Sequence, residues 1–191
     1  MITITKQMIT KFLTRLSLER PTEKLVLGNS KRVSFRVVTD NSFGGKSLAR
    51  FEENRFFRGE LRGDIPFAAI RGELPSDLQD IGDFEGFSLR VRSIDDRRFS
   101  FNLQPPTIIP QDLYQGFIVL PSSNQFYTLV LPFKSMLLTG KGKAREIQRK
   151  LDSTRIQTIG FSVGGPGSKP GPFELEIEFI KWINDIRGIR V

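Results

Sequence analysis

The sequence predicts an all-β protein: a two-sheet sandwich of jelly-roll type, preceded by a short amphipathic helix. Three observations predict it. Apolar and polar residues alternate in many short runs, the period of a strand with one buried face. Gly, Pro, Asn, Asp and Ser separate those runs at near-regular intervals, as they do in sandwiches and barrels. The 17 Phe residues fall largely at the alternating positions, which marks them as core. A chain of 191 residues is long enough to bury that core in a single domain.

Residues 1–23 read as a segment of their own. Ile9, Phe12, Leu13 and Leu16 recur at helical spacing, Lys6, Lys11, Arg15 and Arg20 supply positive charge, and the first acid is Glu19. A basic, hydroxyl-rich, acid-poor amphipathic stretch fits a mitochondrial targeting segment, and equally a helix docked on the domain or on a partner. Pro21 suits its end. Residues 24–191 then read as the sandwich. Val33, Phe35 and Val37 alternate; Phe87, Leu89 and Val91 face one way, with Ser88, Arg90 and Arg92 facing the other. Phe99, Phe101 and Leu103 follow a turn at Asp95-Asp96, and Tyr127, Leu129 and Leu131 form another set. Ile159, Phe161 and Val163 lead into the loop GGPGSKPGP. The last run sets Phe173, Leu175, Ile177 and Phe179 on one face against Glu174, Glu176 and Glu178 on the other. About nine or ten strands result. One interruption reads as helical: within residues 139–152, Ala144, Ile147 and Leu151 give a short apolar stripe, which predicts a surface helix.

Composition removes several chemistries. There is no cysteine and no histidine, so disulfides, thiolate nucleophiles, zinc–thiolate sites and Ser-His-Asp or Cys-His catalysis are excluded. No apolar run approaches the roughly 20 residues of a transmembrane helix. The net charge is +8, from 29 basic and 21 acidic residues, and residues 1–36 alone hold eight cations against two acids. In the sandwich the cations are interleaved with acids, and no recognition helix or RNA-binding aromatic signature accompanies them, so nucleic acid is not an expected partner.

Three motifs carry candidate chemistry. Alternate glutamates on one strand lie about 6.5–7 Å apart, near the separation of the acid pair in an inverting glycosidase. Glu174, Glu176 and Glu178 are therefore either a sugar-cleaving or sugar-binding row, or the solvated, Arg-paired face of a core strand. A sugar site also needs aromatic platforms, and the chain has one Trp and two Tyr. GKGK at 140–143 lacks the hydroxyl and spacing of a P-loop. It reads as a basic loop in which Lys141, Lys143 and Arg145 could meet an acidic partner. DNSFGGKS at 40–47 reads as a tight inter-strand loop, with Gly44-Gly45 supplying conformational freedom.

Taken in order, these segments resemble a known family. Phe35, Asp40, Gly44, Gly45 and Ser47 resemble the W-x4-D-x3-G-G-x-S opening of the complex I intermediate-associated protein 30 family, with Phe35 in place of Trp. FRGEL at 57–61, GFSLRVR at 86–92, Leu131-Pro132-Phe133, Ile156-x-x-Ile159-Gly160-Phe161 and GPFELEIEFI at 171–180 follow in that family's order. Glu178 stands for the family's Asp and Ser93–Arg97 for its glycine-containing turn, while TIIPQDL at 107–113 looks closest to fungal members. The resemblance spans Lys24 to Asp185. It implies a galactose-binding-domain-like jelly roll. It also implies a non-enzymatic mitochondrial assembly factor, without cofactor or metal, in the matrix on the inner membrane. Its partners would be membrane-arm intermediates of respiratory complex I and other assembly factors. Phe35, Asp40, Gly44, Gly45, Ser47, Pro132, Phe133, Gly160, Phe173, Glu176 and Glu178 would be structural. Lys6, Lys11, Arg15, Arg20, Lys141, Lys143 and Arg145 would be candidate contacts for a partner or for anionic lipid. Two other readings stay open: a carbohydrate-binding or glycoside-hydrolase jelly roll using Glu174, Glu176 and Glu178, and a permanent accessory subunit of a large mitochondrial complex.

Overall fold

A computed structural model describes residues 23–28, 33–107, 109, 111–121 and 123–184. The predicted N-terminal helix, with Lys6, Lys11, Arg15 and Arg20, lies outside the described residues.

Thirteen strands are present among the described residues, more than the periodicity suggested. They are β1 (Glu23–Leu27), β2 (Phe35–Thr39), β3 (Leu48–Glu52), β4 (Phe56–Leu61), β5 (Phe67–Glu73), β6 (Gly86–Ser93) and β7 (Arg98–Gln104). There follow β8 (Asp112–Val119), β9 (Tyr127–Pro132), β10 (Leu137–Gly140), β11 (Lys143–Ala144), β12 (Thr158–Gly164) and β13 (Gly171–Ile183). One sheet has the order β3-β4-β13-β6-β9, with β1 also pairing with β13; the other has the order β11-β10-β8-β7-β12-β5-β2. Every pairing is antiparallel. Sequential strands repeatedly cross between sheets, which is the jelly-roll arrangement.

The two inner faces meet in an aromatic spine. Phe87 lies 4.6 Å from Trp182 and 4.7 Å from Phe101, and Phe101 lies 5.0 Å from Phe161, centroid to centroid. All four rings are fully buried. Offset and edge contacts at these distances add to the burial term. The Phe residues placed in the core by alternation are thus the ones that join the sheets.

Two local expectations are corrected. First, residues 139–152 form no helix. Lys141 (φ 52°) and Gly142 (φ 75°) make a tight hairpin from β10 to β11. The Gln148 amide then takes up backbone groups that a helix would have used internally. Leu138 N donates to its Oε1 at 2.8 Å, and its Nε2 donates to Leu138 O and Arg145 O at 3.0 and 2.7 Å. Of the supposed stripe only Leu151 is buried, and Ile147 is 74 % exposed. Two glycines and three apolar residues are too weak a helical signal against those tertiary bonds.

Second, the apolar face of β13 does not run through Phe179. The register against β6 shifts between Ile177 and Phe179, so Glu178 is an extra residue. A bulge of one residue reverses which face the following side chains occupy. Phe173, Leu175 and Ile177 point inward, Phe179 turns outward, and Ile180 and Trp182 become core.

The β3–β4 turn is strained. Glu53 (φ 52°) and Asn54 (φ 56°) are both left-handed, closed by Arg55 N donating to Glu52 O at 3.0 Å. Two positive φ values suit the twist of a hairpin, and Asn tolerates this conformation, but Glu at this position costs about 1 kcal/mol. Glu53→Gly is expected to raise the melting temperature by a few degrees, corresponding to roughly 0.5–1 kcal/mol. A lower melting temperature in a thermal scan would show that Glu53 contributes a contact worth more than its strain.

Candidate functional site

The glutamates of β13 face a set of arginines carried by its neighbours. On the outer side of the first sheet Arg58 of β4 stands opposite Glu174, and Arg92 of β6 opposite Glu176. Glu176 is 1 % exposed. Arg92 Nε donates to its Oε2, and Arg55 Nη2 ion-pairs with Oε1 without hydrogen-bond geometry. Arg58 Nε lies 3.2 Å from Glu52 and 3.6 Å from Glu174. Arg90 Nε pairs with Glu178, and its Nη1 donates to Thr128 Oγ1 at 3.2 Å.

Two rings press on these guanidiniums from outside. Phe126 has Arg92 at 4.9 Å, Arg90 at 5.4 Å and Arg55 at 5.7 Å from its centroid, while Phe56 has Arg58 at 4.5 Å. Arg92 Nη1 also donates to Asn124 Oδ1 at 2.8 Å, which ties Asn124 to the sheet. The arrangement is a closed network of alternating charges under aromatic covers. Chemically it is poor at hydrolysis. A glycosidase pair needs one carboxyl to meet the leaving oxygen and another to meet a water or the sugar. Here both oxygens of Glu176 are taken by arginines, and the faces of Phe56 and Phe126 are occupied by guanidiniums. Among the described residues no three His, Cys, Asp or Glu side chains form a metal-sized cluster.

A second carboxylate knots one end of the sandwich. The Asp40 Oδ1 atom accepts from Ser47 N at 2.9 Å, and Oδ2 accepts from Ser47 Oγ at 2.6 Å and from Phe67 N at 3.0 Å. Ser47 Oγ in turn accepts from Arg62 N at 3.1 Å. Asp40 and Ser47 together thereby join the ends of β2, β3, β4 and β5. Burial pushes the Asp40 carboxyl upward, but the bonds from the Ser47 hydroxyl and the Phe67 and Ser47 N–H groups outweigh it and hold the carboxyl below its ordinary value. Gly44 (φ 83°) ends the short 3₁₀ turn Asp40–Phe43, and a Cβ on Gly45 would lie 2.2 Å from Asp40 Cγ. Gly45 therefore has no room for a side chain, and Gly44 supplies the left-handed turn that L residues adopt only with strain.

The comparisons bear on the family. A model of the family described as complex I intermediate-associated protein 30 matches residues 26–177. The chain belongs to that family. Relatives include the mitochondrial complex I intermediate-associated protein 30 of Neurospora crassa, 29 % identical over 108 residues, which cover 56 % of this chain and 38 % of the relative. The mouse protein of the same name is 24 % identical over 172 residues, covering 78 % of this chain and 52 % of its own length. The chain thus spans about half or less of the length of these relatives. Among solved structures, a family 11 carbohydrate-binding module of a Clostridium thermocellum cellulosomal cellulase superposes with a TM-score of 0.63 at 17 % identity, over 85 % of this chain and 95 % of the module. That likeness establishes the jelly-roll fold.

The residues that carry the sequence resemblance have identifiable tasks here. Phe35 packs edge-on against Phe51 at 5.2 Å, Phe173 against Phe57 at 5.0 Å and Phe133 against Phe87 at 5.0 Å. Pro132 caps the short turn Phe133–Ser135. At Gly160 a Cβ would lie 2.0 Å from Ile70 O. Of the basic loop, Arg145 is engaged by Asp112, its Nε at 3.1 Å, whereas Lys141 and Lys143 are exposed. The residues that the sequence reading did not single out are Arg55, Arg58 and Phe126. Arg58 and Arg92 sit at polar positions of alternating strands, but which acid each meets depends on strand register, and that is invisible in one dimension.

Proposed function

We propose that this protein is a non-enzymatic assembly factor that binds membrane-arm intermediates of respiratory complex I, together with other assembly factors, in the mitochondrial matrix at the inner membrane. The observation that carries the reading is the family match over residues 26–177, which covers nearly the whole described sandwich, with relatives named as mitochondrial complex I intermediate-associated proteins. The side-chain chemistry supports a scaffold. Both oxygens of Glu176 are taken by arginines, and Asp40 is committed to holding strand ends together. A rigid two-sheet body of this kind offers preformed loops and faces to a partly built, apolar partner at little cost in conformational entropy. Lys141 and Lys143, with Lys6, Lys11, Arg15 and Arg20 of the N-terminal segment, are proposed contacts for acidic partner surfaces or anionic lipid.

The test is affinity capture of the tagged protein from gently solubilised mitochondria, followed by mass spectrometry. Membrane-arm subunits in sub-complexes distinct from the mature enzyme are the expected result. Stoichiometric recovery with finished complex I would make the protein an accessory subunit instead. Recovery without any complex I subunit would overturn the reading.

A further inference from the structure

The first sheet ends on a strand with an open edge. Among the described residues β9 pairs with β6 alone. Phe133 N donates to Glu85 O at 2.9 Å. A Cβ on Gly86 would lie 2.7 Å from Leu131 O, so the Leu131 carbonyl points at β6. Together these fix the phase of the ladder. In an antiparallel pair alternate residues bond to the neighbour, and those between them point away. Tyr127, Leu129 and Leu131 therefore bond to β6, while Thr128 and Val130 turn their N–H and C=O groups outward. The open stretch stops at Pro132, which has no N–H and whose carbonyl accepts from Ser135 Oγ at 2.7 Å. From Tyr127 to Leu131 it is about 17 Å long.

Edges of this kind are normally guarded by charge. The other edge strands among the described residues follow that rule, with Arg50 and Glu52 on β3, Arg36 on β2, Lys143 on β11, and Glu23 and Lys24 on β1. The β9 strand reads YTLVLP and carries no charge. Its inward side chains are also incompletely covered. Tyr127, Leu129 and Leu131 pack on the core yet are only half-buried, whereas Val91, Leu89 and Phe87, their partners on β6, are fully buried. The opposite sheet does not end here. A Cβ on Gly116 of β8 would lie 3.2 Å from Leu131 Cδ1, so β9 lies over β8, and β10 and β11 carry the second sheet further. The first sheet is therefore short of its mate along this side.

We propose that the open edge of β9 binds an extended, uncharged segment of a partner polypeptide as an added strand. Its main chain would pair with Thr128 and Val130, and its alternate apolar side chains would cover Leu129 and Leu131. Main-chain bonds supply the affinity in such an addition, and the alternating side chains supply the specificity. The lack of charge on the edge selects an uncharged strand, because a charge set beside Leu129 would be buried without a partner. The overhang of the second sheet selects a single strand over a second copy of this chain. Two-fold pairing of β9 with itself would drive β10 of each copy into β8 of the other.

Fluorescence anisotropy tests this, with the full chain titrated into a labelled peptide of alternating valine and threonine between terminal lysines. The probe is not a complex I segment, so its result does not depend on the assembly role. Saturable binding is expected. Two further peptides carry N-methyl groups, one on the valines and one on the threonines, and each thus has one edge blocked. One of them should bind about ten-fold or more weakly than the parent peptide, and the other should bind like it. Val130→Pro removes an outward N–H and no bond to β6, so its melting temperature should stay within a few degrees of the parent while peptide binding falls by a similar factor. Sedimentation velocity should find the chain monomeric. Absence of saturable binding, equal binding of the two methylated peptides, or unchanged binding by Val130→Pro would each overturn the proposal. A dimer that Val130→Pro dissociates would overturn it as well, by giving the edge to a second copy.

Discussion

Replacing Glu176 by alanine is expected to lower the unfolding free energy by about 3 kcal/mol. The side chain is 1 % exposed, and two guanidiniums converge on it. Removing one member of a buried ionic group leaves the others uncompensated, which is where most of the loss arises. Arg55 and Arg92 are only partly covered, at 43 % and 28 % exposure, so water recovers some of it and the value falls at the low end of the usual range. The loss should be non-additive. A triple variant with Arg55→Met, Glu176→Leu and Arg92→Met is expected to lose less than Glu176→Ala alone, because it leaves no orphaned charge. Urea unfolding of the single and triple variants measures both. A cost for Glu176→Ala below about 0.5 kcal/mol, the level of an exposed ion pair, would mean that the carboxylate is effectively solvated. Its availability for chemistry would then have to be reopened.

Asp40→Ala is expected to cost a similar amount, about 3 kcal/mol, through a different mechanism. The substitution strips the acceptor from Ser47 N, Ser47 Oγ and Phe67 N. Each buried donor left without a partner costs about 1–3 kcal/mol. The effect also carries a pH signature. The folded-state carboxyl lies below its ordinary value, so this group's contribution is fully present above the unfolded-state pKa. It is lost as pH falls through the depressed folded-state value. Stability of the parent protein should therefore decline between about pH 5 and about pH 2 more steeply than that of Asp40→Asn, which cannot titrate. Parallel slopes for the two proteins in that window would remove Asp40 from the account. Either variant should also loosen the 40–47 and 62–66 loops together, since one carboxylate holds both, and hydrogen exchange at Ser47 and Phe67 would report it.

Much of the fold was legible because alternation is a local property. Phe87, Phe99, Phe101, Phe161 and Phe173 sit where period two puts them, and all are buried. The glutamates were legible as far as their residue type: carboxylates alternating with an apolar face imply partners or water. The family motif was legible as a pattern of letters. What it does became visible only in three dimensions, where Asp40 occupies the space that a side chain on Gly45 would need. Phe179 was misplaced because a bulge leaves no mark in hydropathy; Glu178 reads as an ordinary polar position whether or not it is paired. The segment 139–152 was misplaced because Gln148 binds the backbone of Leu138, a partner set by the fold.

The sequence by itself determined a histidine- and cysteine-free β-sandwich with a Phe core, a family, and a short catalogue of reactions the chain cannot catalyse. These follow from residue identity and from contacts between neighbours in sequence. Tertiary structure alone decided that Glu176 is locked between Arg55 and Arg92, that Asp40 and Ser47 tie four strand ends together, and that Arg36 and Arg71 stand opposite each other on paired strands. The reason is physical. Each of these depends on which strands are adjacent and in what register, and a pairing of residues 35 or 84 positions apart is set by the burial of both whole sheets.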